Sequence, residues 1–239
     1  LKLEMEDIIK KITEEVYRNL SAMQGGMQAA PSMGGACAAG SYELVKMDPH
    51  ATVGDLEQAC AAVRSKGYTA LCVPQWFVNL AAEKLHGSAK VDTIISLPGG
   101  TTSTYAKYAE VNEAVKNGAN EITIPVNMDL VKENRLSDAR NDLETAMITA
   151  ASTDGVCVRA LLEAGIACTD ALREAVKMIC DCGIKHIVLS FVMSNAKADS
   201  GVIAEVIAAC AGKADVAVLG GGITALPQGA TRVMSSYVT

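Results

Sequence analysis

The sequence has little of what would build a metal centre, a nucleic-acid surface or a membrane span. It contains three histidines, and none of its eight cysteines (Cys37, Cys60, Cys72, Cys157, Cys168, Cys180, Cys182 and Cys210) is spaced as CxxC. Reduced, mostly buried thiols are expected, with no metal. Cys180 and Cys182, the one close pair, fall near the end of a predicted helix, where residues two apart face different directions and chelate poorly. Basic residues number 21 against 27 acidic, a net charge of −6 without a basic cluster, which argues against nucleic acid as a partner. No apolar run approaches the roughly 20 residues that cross a bilayer, and the N-terminus does not look like a secretion signal. A cytoplasmic protein with no membrane contact is expected. No Walker loop or GxGxxG follows a predicted strand, so mononucleotide and dinucleotide folds lose support and no cofactor is implied.

Half of the 239 residues are hydrophobic, enough for one barrel-sized core with an appendage. The chain reads as three segments. Residues 1–20 form an amphipathic helix, with Met5, Ile8, Ile9, Ile12, Val16 and Leu20 on one stripe. Residues 21–41 are a flexible linker rich in Gly, Ala, Met and Ser. From Tyr42 to Thr239 short β-type runs alternate with helical ones. Strands are expected at 42–46, 69–73, 91–96, 121–126, 155–160, 184–190 and 215–219, with an eighth near 231–234. Helix caps are expected at Thr52, with Asp55 three residues on, and at Thr169. The repeat of about 25 to 30 residues favours a closed (β/α)8 TIM barrel over an open sheet.

The segment GYTALCVPQWFVNLAAEKL, Gly67 to Leu85, resembles the deoxyribose-phosphate aldolase family, in which a strand ending Cys-Val leads into a Pro-containing turn and an Ala-rich helix. The stretch from Val91 to Ile122, VDTIISLPGGTTSTYAKYAEVNEAVKNGANEI, is similar to that family's third strand, its turn, its Thr-rich helix start and its approach to strand four. Gly183, GGI at Gly221 to Ile223 and GATR at Gly229 to Arg232 extend the resemblance over most of residues 42–236. It implies a class I aldolase barrel, in which a strand-six lysine forms a Schiff base, a strand-seven lysine lowers its pKa and a strand-four aspartate shuttles protons. On that pattern Val188, Val218 and Thr123 occupy the three positions, and none supplies an amine or a titrating acid. Imine chemistry is therefore not expected. Lys185 should point to the bottom of the barrel, whereas Lys46, at the end of the first strand, is a weak candidate for a catalytic amine.

Other departures concern the mouth. The loop after the sixth strand, Ser190 to Lys197, places bulky Phe191, Val192 and Met193 where the family has a Gly-containing turn that approaches the substrate phosphate. Pro125 falls inside a strand, where it removes a donor. Half of a phosphate cradle remains: Gly221 and Gly222 after the seventh strand, Ser235 and Ser236 after the eighth. Only Thr224 to Gln228 separate Ile223 from Gly229, so the seventh helix is expected to be missing and the barrel incomplete at its C-terminal end. Apolar strand backs bared there are expected to be covered by another subunit, which suggests a homo-oligomer, or by the N-terminal helix, or to be left partly disordered.

The helix LEMEDIIKKITEEVYRNL with its Gly/Ala/Ser linker resembles the encapsulation peptides of bacterial microcompartment cargo. That resemblance implies a shell or cargo protein as the partner of residues 1–20, and a microcompartment lumen as location. The alternative is a helix packed on its own barrel. Three functions stay open. The first is an aldolase-family pseudoenzyme binding a small sugar phosphate. The second is an active carbon-carbon lyase using Lys46, Cys72, Asp48, Glu163 or His50, and the third is a scaffold that binds shell subunits.

Overall fold

A computed structural model describes residues 42–220, 223 and 225–236. The expected helix 1–20 and linker 21–41 lie outside the described residues, as do Gly221 and Gly222. Eight parallel strands form a closed barrel in sequence order: β1 (Tyr42–Val45), β2 (Ala70–Cys72), β3 (Lys90–Ile94), β4 (Glu121–Pro125), β5 (Cys157–Glu163), β6 (His186–Ser190), β7 (Asp215–Leu219) and β8 (Arg232–Ser235). Around them lie α1 (Val53–Lys66), α2 (Val78–Leu85), α3 (Thr104–Lys116), α4 (Met128–Lys132), α5 (Leu136–Ala151), α6 (Thr169–Asp181) and α7 (Ser200–Cys210). The expected barrel is present, with β5 running three residues further than its apolar pattern suggested, to Glu163.

Local sequence sets the helix ends. Thr52 and Asp55 form the expected capping box on α1, with the Asp55 amide donating to Thr52 Oγ1 (3.2 Å) and the Thr52 amide to Asp55 Oδ2 (2.8 Å). Gly67, at φ 67°, ends that helix in the left-handed region. At α6 the expectation fails: Cys168 is the N-cap and makes no side-chain cap bond, while Thr169 is already helical. Asp170 in the first turn still complements the helix dipole. Neither α4, capped by Asn127, nor the 3-10 turns Gln75–Phe77 and Ala164–Ile166 was expected.

The period of two along each strand separates two cores. Outward residues such as Leu71, Ile122, Ile124, Leu162, Leu189 and Val218 pack with helix residues including Leu56, Leu143, Leu172 and Ile203. Inward residues Val45, Cys72, Ile94, Leu161, Val188, Ala217, Leu219 and Met234 form a second, smaller cluster. Outside the barrel, the fully buried Lys107 on α3 pairs with Asp142 on α5, which also accepts from Thr104 Oγ1 (2.6 Å).

Two oddities of the sequence resolve here. Pro125 is the last residue of β4, opposite the point where β3 has already ended and the Ser96 amide has turned to Glu110 Oε2 (2.6 Å). On its other side the Val126 amide bonds the Leu161 carbonyl (2.9 Å), so the proline costs no ladder bond. Among the described residues no helix joins β7 to β8, as expected, yet the barrel still closes. β8 pairs with β7 through Val218↔Val233 and with β1 through Glu43↔Met234. The short link folds against α7, where a Cβ on Gly229 would stand 3.2 Å from Ile207 Cδ1.

Thr93 is fully buried beside the outward residue Ile122, and its hydroxyl has no hydrogen-bond partner. A buried hydroxyl without a partner is a net cost. Thr93→Val is therefore expected to raise stability by about 1 kcal/mol in urea unfolding; an unchanged or lowered midpoint would contradict this account.

Candidate functional site

The lower half of the barrel interior is ionic. Glu43 on β1, Asp92 on β3, Glu121 on β4, Arg159 on β5 and Arg232 on β8 are all buried and point inward. Arg159 donates Nη1 and Nη2 to Glu43 (2.8 and 3.0 Å), and its Nη2 lies 2.6 Å from Asp92 Oδ2. Arg232 Nη1 bridges Glu43 Oε2 (2.8 Å) and Glu121 Oε2 (2.6 Å). Thr123 Oγ1 donates to Asp92 (3.0 Å) and accepts from Arg159 Nε (3.1 Å). Three carboxylates thus face two guanidinium groups. Burial raises the Asp92 carboxyl to about 7, against the lowering by Arg159. Burial also pushes the Cys72 thiol well above its ordinary range, with Asp92 and Glu43 adding to the effect. Glu43, Cys72 and Asp92 bring three donor atoms within 4.8 Å of one another. Arg159 and Arg232 already supply the positive charge that a metal ion would bring there.

Above this layer lies an apolar cluster that includes the Cys72 thiol and the Met234 thioether, and above that the C-terminal strand ends, where barrels of this architecture carry their sites. A cavity of about 850 Å3 lies there. Its walls are the ends of β1 (Val45, Lys46, Met47, Asp48), the loop after β6 (Phe191, Val192, Asn195, Ala196, Lys197), Leu219 and Gly220 after β7, and Ser236 after β8. Lys46 sits 3.9 Å from Asp48. The β6 loop is tethered across the mouth. Ser190 Oγ donates to Glu163 Oε2 (2.6 Å) and Ser194 Oγ to Glu163 Oε1 (3.2 Å). A Cβ at Gly165 would stand 1.8 Å from Ser194 Oγ, and one at Gly99, after β3, 3.1 Å from Met193 Cε. The bulky loop therefore relies on glycine at both neighbours.

The residues singled out from the sequence fall in different places. Val188 faces the interior cluster, and Thr123 lies within the ionic layer. Val218 does not face the interior: the strand period turns it to the outer core, and its neighbours Ala217 and Leu219 hold the inward positions on β7. The side chains of Ala217 and Leu219 carry no nitrogen either. Lys46 and Ser236 line the cavity, whereas Ser235 is a strand residue paired with outward-facing Leu44. Lys185 is exposed just before β6 begins. Cys72 lies beneath the mouth beside Asp92, Glu163 is engaged by serines, and His50 is exposed, its amide bound to Asp48. Six of the described cysteines are free (Cys60, Cys72, Cys168, Cys180, Cys182 and Cys210), with Cys168 exposed. Cys157 departs from the expected reduced thiols in being disulfide-bonded. Sequence reasoning missed the ionic layer and the cavity residues Asn195 and Lys197. The layer's signal was charge inside strand-like runs, as in VDTII and CVRALL.

A closed parallel barrel with a cavity at its C-terminal mouth defines a (β/α)8 protein. The chain belongs to the DeoC/LacD family of aldolases, whose model matches residues 35–183. It is 32% identical over 140 residues to the deoxyribose-phosphate aldolase of Thermosynechococcus vestitus, covering 58% of this chain and 63% of that one. To the enzyme of Staphylococcus haemolyticus it is 31% identical over 118 residues, 49% and 52% of the two chains. The chain thus matches about half to two thirds of the length of these curated relatives. A putative deoxyribose-phosphate aldolase structure from Coccidioides immitis superposes with TM-score 0.75 at 22% identity, over 93% of each chain. The deoxyribose phosphate aldolase of Aeropyrum pernix, described as a unique tetramer, superposes with TM-score 0.71 at 18% identity, over 82% of this chain and 86% of that one. No described helix is long and apolar enough to cross a membrane.

The raised Asp92 carboxyl makes stability depend on pH. Its folded pKa of about 7 exceeds the ordinary 3.8, so the folded chain binds more protons between those values. The contribution is complete below the unfolded pKa and is lost as pH rises through about 7. Urea midpoints should fall between pH 5 and pH 8 (about the window bracketing that titration) more steeply for the wild-type chain than for Asp92→Asn. Equal slopes would remove Asp92 as the titrating group.

Proposed function

We propose that this chain is a deoxyribose-phosphate-aldolase-like barrel that does not form a Schiff base and binds a small phosphorylated ligand at its mouth. The observation that carries the reading is the carbon lining of the upper interior. Val188 on β6 and Ala217 and Leu219 on β7 stand where an imine-forming amine would have to sit. Among the described residues the one buried lysine is Lys107, on α3 outside the barrel. A valine or leucine side chain offers neither a nucleophile nor a proton. The two cations inside the barrel, Arg159 and Arg232, are held by carboxylates and stay protonated. What remains at the mouth is suited to binding: Lys46 and Lys197 on the rim, with Asn195 and Ser236 as further polar partners.

Incubation with deoxyribose 5-phosphate followed by borohydride reduction should leave the mass of the chain unchanged. A stable adduct that disappears in Lys46→Ala would instead support a lyase acting through the lysine that lines the cavity, the one alternative the geometry favours.

The amphipathic pattern of residues 1–20 and the Gly-rich linker support cargo status in a bacterial microcompartment, with shell or cargo protein as partner. A homo-oligomer is in keeping with the Aeropyrum pernix tetramer. Deleting residues 1–20 should abolish co-localisation with shell protein while leaving the barrel folded by circular dichroism. Unchanged co-localisation would reject the targeting role.

A further inference from the structure

The geometry points to a ligand class narrower than sugar phosphates: a phosphate monoester with a short aliphatic body, seated with its phosphate at the rim and its carbon chain toward the barrel axis. This rests on the anion-binding reading above and specifies what the rest of the ligand must be.

The cavity is divided by chemistry. Its polar side chains, Lys46, Asp48, Asn195, Lys197 and Ser236, belong to the loops outside the strand ends. Asn195, Lys197, Asp48 and Ser236 are exposed. Toward the axis the lining is Val45 and Leu219, both buried, and beneath them lie Cys72, Leu161, Val188 and Met234. A hydroxyl carried inward would leave water and, among the described side chains of that layer, meet only the weakly bonding Cys72 thiol. The nearest deeper polar groups cannot serve it, because Glu43, Asp92, Arg159 and Thr123 are engaged with one another. Glu163 is likewise taken, by Ser190 and Ser194. A sugar's ring hydroxyls would therefore be buried without partners, which is unfavourable, whereas methylenes would gain from the same surface. Each methylene buried should tighten binding roughly threefold to fourfold. Among the rim side chains, Asp48 opposes an anion and is turned toward Lys46 at 3.9 Å, which leaves Lys197 and Asn195 as the less encumbered contacts.

The test is isothermal titration of the full chain with ethyl, propyl and butyl phosphate, and with deoxyribose 5-phosphate and glycerol phosphate. Affinity rising along the alkyl series, with both polyhydroxylated esters weaker than butyl phosphate, is the expected result. Two variants report on the two halves of the cavity. Lys197→Met should weaken every ester by a similar factor, whereas Leu219→Thr, which puts a hydroxyl into the apolar lining, should flatten the alkyl series and spare the shortest ester. Deoxyribose 5-phosphate binding as tightly as butyl phosphate, without dependence on alkyl length, would overturn the aliphatic inference and leave the anion site standing. Failure of every ester to bind, or binding indifferent to both Lys46→Met and Lys197→Met, would overturn the anion site itself.

Discussion

The barrel is organised around five charged side chains that never meet solvent. Glu43 is the centre, because it takes both Arg159 from β5 and Arg232 from β8. Arg232 then reaches Glu121 on β4, and Arg159 reaches Asp92 on β3. One cluster therefore ties together five of the eight strands, including both sides of the seam where β8 closes onto β1. Its net contribution to stability need not be large, since burying ions costs several kcal/mol each before their attraction repays it. Its effect is on specificity. A register slip by one residue would turn these groups into the apolar outer core, and removing one partner would leave a buried charge at a cost of roughly 3 to 5 kcal/mol. Eight short strands, one of them only three residues long, gain a fixed register in this way.

The same arrangement lets the layer above it be mostly apolar without loss of the fold. Conformational specificity is secured in the lower layer, so the layer above needs only to fill space. Val45, Ile94, Leu161, Val188, Leu219 and Met234 do so as a closed apolar cluster. In a barrel the mouth carries chemistry and the opposite end carries stability. A change of side chain at the mouth is then tolerated where a change in the ionic layer would not be. The β6 loop follows this logic: its bulk is accommodated by Gly99 and Gly165 and by the Glu163 carboxylate, all at the top of the barrel.

Much of this was legible in the sequence, and the limits have physical causes. Strand positions were readable because β-branched runs recur between capped helices, and the missing helix before β8 because Thr224 to Gln228 cannot hold one. Side-chain direction was less accessible. Val218 was placed at a catalytic position by its distance from the following glycines, but a strand offers two faces and the hydrogen-bond register with β6 decides between them. Pairing sets Val188 beside Ala217, so 217 shares its face and 218 does not. The ionic layer was hidden for a related reason. Asp92, Glu121 and Arg159 each appear as one charge in an apolar run, and only closure of the sheet brings residues from distant strands into contact. Glu43 and Arg232 are 189 positions apart and 2.8 Å in space.

Fold and chemistry separate here along the barrel axis. Similarity to deoxyribose-phosphate aldolases is a statement about the strand and helix pattern, and the family match ends at residue 183, before β6 and β7 begin. A shared fold supports ancestry, while activity has to be argued from the groups at the site. At this site the groups are two rim lysines, an aspartate, an amide, a serine and an apolar floor. On the proposed reading such a set would discriminate ligands by where charge and carbon lie. Of the strongly perturbed groups in the barrel interior, Asp92 belongs to the ionic layer, and the Cys72 thiol lies where that layer meets the apolar cluster. Perturbed groups ordinarily mark an active site. In this barrel they mark the ionic layer that sets the register.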